Sequence, residues 1–189
     1  MRDDAIGSDD RARLLALARQ TLVARVNRRS LPDAPKGGTF DLLRGAFVSI
    51  HRRGELRGCL GRLEPEPLSE TVVHLAAVVA DSDPRFEPVG PSELDEIDFE
   101  ISVLTPEREI ESVEEIEIGR HGLIVEQGYR RGLLLPQVPV EHRWDRTTFL
   151  EHTCLKAGLP PDAWREPDTR LSVFEALVFG ELAAPEPER

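Results

Sequence analysis

A chain of 189 residues holds one domain or two small ones and buries a core without disulfide staples. Its 24 Lys+Arg against 35 Asp+Glu give a formal charge of −11, which repels nucleic acid and anionic lipid unless the positive charges cluster. Hydrophobic content of 40% with 31% charged residues excludes wholesale disorder, and Cys59 and Cys154 as the only two cysteines exclude a disulfide scaffold and fit a reducing compartment.

The acidic start Met1-Arg2-Asp3-Asp4 has no apolar stretch behind it and does not read as a signal peptide. No apolar run approaches the about 18 residues of a membrane span, so no membrane association and a cytoplasmic location are expected. Residues 1–8 read as a flexible end. Ser8-Asp9-Asp10 supplies a capping oxygen and an acidic first turn for a helix. Leu14, Leu15, Ala18, Leu22 and Val26 form its apolar stripe, with an end near Arg28 or Arg29. Arg11, Arg13, Arg19 and Arg25 are expected on its solvated face. Leu31 to Gly38 is loop. Gly45 to His51 and Glu55 to Leu60, about Arg53-Gly54, predict a β-hairpin that Pro65 and Pro67 close.

Leu68, Val72, Leu75, Ala76 and Val79 make a second helical stripe, broken at Asp83-Pro84 because a residue before proline is pushed out of the α region. Ile97, Phe99, Ile101 and Val103 alternate with Asp98, Glu100 and Ser102, the pattern of a strand buried on one face. Thr105-Pro106 stops it. After the turn Gly119-Arg120-His121-Gly122, Leu123 to Glu126 and Tyr129 to Leu135 flank Gln127-Gly128 as a second hairpin. Asp145 caps a third helix with Phe149, Leu150, Thr153, Cys154 and Ala157 on one face, ended by Gly158 and Pro160-Pro161. Val173 to Phe179 reads as one final strand, apolar on both faces and therefore covered, and 183–189 as a frayed end. Hairpin-linked strands interrupted by isolated helices predict an α+β fold, a mostly antiparallel sheet with flanking helices. Residues 10–180 form the expected domain, with Pro-rich stretches at 31–38 and 105–107 where two subdomains would part.

The densest segment is Leu56-Arg57-Gly58-Cys59-Leu60-Gly61-Arg62. Its glycines permit close backbone approach, and its flanking arginines favour a thiolate, so Cys59 reads as a reactive or ligand-contacting residue. The competing reading is a small buried residue in a strand. Asp83-Pro84-Arg85-Phe86 reads as a turn that projects Arg85 at a defined place, toward a carboxylate of the chain or an anionic ligand. Cys154 reads as core. No CxxC, HExxH or paired Cys/His knuckle indicates a metal, and no Walker or GxGxxG loop indicates a nucleotide. Gly58 to Gly61 also spells GxxG, which in KH modules clamps a nucleic-acid backbone, with Arg52, Arg53, Arg57, Arg62 and Arg85 as its local patch.

Taken in order, Leu56-Arg57-Gly58-Cys59-Leu60-Gly61, Asp83-Pro84-Arg85-Phe86, Ile118-Gly119-Arg120-His121-Gly122-Leu123, Leu134-Leu135-Pro136-Gln137-Val138 and Trp144-Asp145 resemble the AMMECR-type domain family. Leu60 stands where the family motif more usually has Ile. The resemblance implies an intracellular α+β protein of two unequal parts with a cleft lined by the Arg57–Gly61 segment. It implies similarity to system protein A of the AmmeMemoRadiSam group, associated with a Memo-type and a radical S-adenosylmethionine protein. It implies no reaction and assigns no cofactor. Motif membership carries over to Arg57, Gly58, Cys59, Gly61, Arg85, His121, Gly122, Pro136, Glu141 and Trp144. Beside it, His121 between two glycines reads as a turn histidine bonding nearby backbone or, in the competing reading, as an exposed general base or ligand that could pair with Cys59, with Glu141 orienting the imidazole. Two function classes stand open. One is a module that binds a small molecule or partner protein through Arg57, Gly58, Gly61 and Arg85. The other is a thiol-dependent enzyme using Cys59, His121 and Glu141.

Overall fold

The computed structural model describes residues 6–181. Its elements in chain order are α1 (Ser8–Val26), β1 (Leu43–Arg52), β2 (Glu55–Pro67), α2 (Leu68–Val78), β3 (Ile97–Leu104), β4 (Arg108–Glu109), β5 (Gly122–Gln127), β6 (Arg130–Leu134), α3 (Gln137–Glu141), α4 (Arg146–Lys156), β7 (Arg170–Phe174) and β8 (Ala176–Gly180). The fold is α+β. The chain divides into two compact units, one running to Val103 and resuming at Leu177, the other comprising Leu104–Ala176. The Pro-rich loop at 31–38 therefore lies inside the first unit. Of the ends expected to be flexible, residues 1–5 and 183–189 lie outside the described residues, whereas Ile6 is only 3% exposed and belongs to the first core.

In the first unit the sheet order is β2-β1-β3-β8, with β1 antiparallel to both β2 and β3. The β3 alternation is as predicted: Ile97, Phe99, Ile101 and Val103 are buried while the residues between are half-buried. Ala46, Val48 and Ile50 of β1 face the same core, which α1 and α2 complete with Leu14, Ala18, Leu22, Leu68, Val72 and Leu75. Two details of α1 differ from the sequence expectation. Gly7, not Ser8, is the N-cap, and the buried stripe runs through Leu17 and Thr21 while Leu15 is only partly buried. Nor is Arg19 merely solvated: it ties Glu181, whose carboxylate accepts the Phe99 N–H at 2.9 Å, and donates to the Ile97 carbonyl at 2.6 Å.

The β1–β2 turn has positive φ at both Arg53 (54°) and Gly54 (82°), the backbone that matches strand twist in a two-residue hairpin. β2 runs past the expected Leu60, through Pro65, and ends at Pro67. It is the edge strand, and its pairing with β1 shifts register between Arg44 and Ala46, so Pro65 owes no N–H to the ladder. α2 ends at Val78, short of Asp83-Pro84, because Asp81 and Ser82 turn back to bond the Val78 carbonyl.

The second unit has sheet order β4-β7-β5-β6, all pairs antiparallel, with α4 supplying Phe149, Leu150 and Cys154 to its own core. Asp145 caps α4 by accepting the Thr148 N–H at 2.8 Å. The single strand expected at Val173–Phe179 is two strands in different sheets. Glu175 breaks it, its N–H and C=O both bonded to Thr105. β8 is consequently a half-covered strand, with Val178 50% exposed.

Candidate functional site

The Arg57–Gly61 segment lies in the middle of β2, at the sheet edge. A bulge reorders it. Leu56 pairs with His51 and Gly58 with Ile50, which leaves Arg57 as the extra residue. Gly58 consequently faces inward with Ile50, where an added Cβ would stand 3.1 Å from Val79. Cys59 is half-buried on the outer face, opposite Ser49 of β1, which in turn pairs with Glu100 of β3. Gly61 lies under the Phe47 ring of the paired strand, and a Cβ there would come within 2.0 Å of the ring.

The arginines that surround Cys59 in sequence are held by other groups. Arg57 forks onto Glu93 at 3.0 and 3.2 Å, and Arg62 pairs with Glu66. The Arg57 guanidinium is the first cause that holds the Glu93 carboxyl below its ordinary range. The cation beside Cys59 is Arg85, reached through the Asp83-Pro84 turn. Asp83 is 4% exposed and accepts the Cys59 N–H at 2.9 Å. Arg85 grips the same carboxylate through Nε at 3.0 Å and Nη2 at 2.8 Å, and donates to the Cys59 carbonyl at 3.3 Å. The pair satisfies the outward N–H and C=O of an edge residue as a neighbouring strand would, and blocks that edge from other chains. Bonding to Arg85 above all, then to the backbone N–H groups of Cys59 and Arg85, pulls the Asp83 carboxyl far below the usual carboxylate range.

His121 is buried, 5% exposed, which fits the turn histidine bonded to nearby backbone and not the exposed base. The Gly119 turn (φ 87°) folds back so that the Arg120 and His121 N–H groups bond the Glu117 carbonyl, which draws the ring inward. Its Nδ1 accepts the Glu117 N–H at 3.1 Å, so the neutral ring carries its proton on Nε2. Nε2 lies 3.9 Å from Glu175 at a recess of about 460 Å³ that Thr105, Arg108, Glu115 and Arg120 also line. The carboxylate in ion-pair range of this ring is Glu175; Glu141 is exposed at the end of α3. Cys59 belongs to the first unit and His121 to the second, and each is engaged by partners of its own unit.

Sequence reasoning singled out Cys59, Arg57, the two glycines and Arg85, but did not show that Asp83 and Arg85 together bind the Cys59 backbone, nor that Ser49 and Glu100 stand in register with it. Counting back from the Arg53-Gly54 turn would set Ser49 against Gly58. The bulge at Arg57 moves it to Cys59. The GxxG lies within a strand and not between helices, and Arg52, Arg53, Arg57, Arg62 and Arg85 are each paired with an acid. That geometry removes the KH-like reading. Among the described residues no group of His, Cys, Asp or Glu is placed to hold a metal ion, and no helix is long and apolar enough to cross a membrane.

The family model described as AMMECR1 matches residues 15–179. "Protein MK0488" of Methanopyrus kandleri is 49% identical, over 89% of this chain and 86% of that protein. "Protein TK0174" of Thermococcus kodakarensis is 44% identical, over 89% and 88%. The crystal structure of the uncharacterized protein PH0010 from Pyrococcus horikoshii is similar with a TM-score of 0.73 at 41% identity, covering 89% of each chain.

Proposed function

The chain belongs to the AMMECR1 family, and from that premise we propose that it is a binding module. A small molecule or partner protein docks on the outer face of the first sheet at Arg57–Gly61, around Cys59. The observation that carries this reading is the fixation of one half-buried cysteine. Its N–H and C=O are both held by the Asp83–Arg85 pair, and the bulge at Arg57 sets its position in the row with Ser49 and Glu100. Strands of a rigid sheet present side chains with little conformational entropy left to lose on binding. The enzyme reading with Cys59, His121 and Glu141 is weaker. His121 has Nδ1 committed to a backbone N–H and Nε2 turned to Glu175, so the ring is not available as a free base.

The proposed partners are a Memo-type protein and a radical S-adenosylmethionine protein, which this chain serves as an accessory component. The test is calorimetric titration of each purified partner into the native chain, before and after Cys59 is capped with N-ethylmaleimide. Binding to one partner that the cap weakens by about tenfold or more is expected, a change of about 1.4 kcal/mol. Absence of binding by either removes the accessory role. Binding that ignores the cap moves the docking surface away from Cys59.

A further inference from the structure

We infer that the first unit holds a second site, at the C-terminal end of α1, for a small anion carrying an apolar body: an aryl or alkyl phosphate, carboxylate or sulfonate. A recess of about 820 Å³ opens there, lined by Val26, Leu31, Pro88 and Val89 together with the Arg25–Asp81 ion pair, Arg28 and Arg29. That volume lies within the range of ligand pockets, and apolar walls with a few convergent polar groups are their usual lining. Leu31 is 41% exposed over it, while Val89 and Ala80 are buried in its floor.

Arg28 and Arg29, like Arg143 and Arg165, are cations that no acid among the described residues holds. Among the described residues the Arg28 and Arg29 guanidinium groups make no hydrogen bond or ion pair, whereas Arg25 beside them is bonded to Asp81 at 2.8 Å. Complementing the helix dipole accounts for Arg25, which sits in the last turn. The same effect also favours the cations of Arg28 and Arg29 just past the C-cap Asn27, but it does not specify what they face. The Arg28 backbone is special as well. Arg28 has φ 54° at the position after the helix where glycine is the favoured residue; its N–H bonds Arg25 and the next N–H bonds Ala24. A side chain kept in that conformation is strained, and Arg28 and Arg29 both line the one recess. Two forks on one rim suit a tetrahedral or planar oxyanion, and the walls suit the body attached to it.

The site is separate from the Cys59 face and does not depend on the binding proposed there. The probes are 1-anilinonaphthalene-8-sulfonate by fluorescence titration and, as competitors, phenyl phosphate, benzoate and inorganic phosphate, all on the native full chain. Saturable one-site binding of the sulfonate is expected, with phenyl phosphate displacing it at a concentration about tenfold or more below that of inorganic phosphate. The double variant R28A/R29A should weaken the sulfonate about tenfold or more, and Arg165→Ala, a like charge lost elsewhere, should not. Arg28→Gly separates binding from folding: relief of the positive φ leaves thermal stability equal or higher while affinity falls. Capping Cys59 should leave the titration unchanged. Unsaturable binding, affinity indifferent to R28A/R29A, or inorganic phosphate competing as well as phenyl phosphate would each overturn the site.

Discussion

A thiol reacts according to what covers its sulfur and how strongly its surroundings oppose a charge. Cys154 is fully buried among Phe149, Leu150 and Ala157, and burial pushes its thiol above the ordinary cysteine range. Cys59 is half-buried on the outer face of β2, between Gly58 and Leu60. A disulfide reagent added to the native protein should therefore titrate Cys59 well before Cys154, and denaturant should release the second thiol. Equal and slow labelling of both would show Cys59 to be packing. Gly61 poses the second test at this scale. Phe47 lies directly on it, so Gly61→Ala must displace a ring, and a loss of about 1–3 kcal/mol in denaturant unfolding is expected. A neutral substitution would mean that the ring leaves without cost and that the outer face is softer than the pairing of the two strands implies.

Among the elements, β3 is the clearest passage from pattern to packing. Phe99 is 1% exposed in the first core, and Phe99→Ala should lower unfolding free energy by about 3–5 kcal/mol; a loss under about 1 kcal/mol would contradict its burial. Such period-two alternation was legible because each side chain reports its own face. So were the two ends of α4, where Asp145 and Gly158 act on their nearest neighbours. What escaped were features fixed by partners distant in sequence. β7 and β8 read as one apolar run because nothing local in Val173–Phe179 says that Glu175 will bond Thr105, 70 positions away. Continuation of β2 through Pro65 depends on its being an edge strand, which follows from sheet order and not from composition. That His121 bonds nearby backbone was legible from its turn, but its burial was not, because only the Glu117 carbonyl and N–H closing on it draw the ring inward. For the site, the Cys59 segment stood out by its own residues. Its support did not, since Asp83 reaches Cys59 across 24 positions and Ser49 reaches it only through the bulge.

On the scale of the whole molecule, a charge of −11 with most described arginines engaged by acids makes the fold depend on carboxylates staying ionised. Asp83 and Glu93 are the two whose side chains are well buried, and both are held below their ordinary range by arginine first, Arg85 for one and Arg57 for the other. A carboxyl with a lowered folded pKa binds fewer protons in the native state than in the unfolded chain at the same pH. Its stabilisation is complete above the unfolded value near about 4 and is lost as pH falls through the folded value. Unfolding free energy should therefore be nearly level from neutrality down to about pH 5 and drop steeply below it, as protonation undoes both clamps. Asp83→Asn should make that acid limb shallower and cost about 1–3 kcal/mol at neutral pH, because Arg85 and the Cys59 N–H lose a charged acceptor that the partly exposed guanidinium only partly replaces with water. Urea unfolding of both proteins between pH 7 and pH 3 measures the two limbs. If they run parallel, Asp83 is not a source of the acid sensitivity. The clamp on Cys59 would then be a matter of geometry alone, its charge carrying no part of the fold's stability.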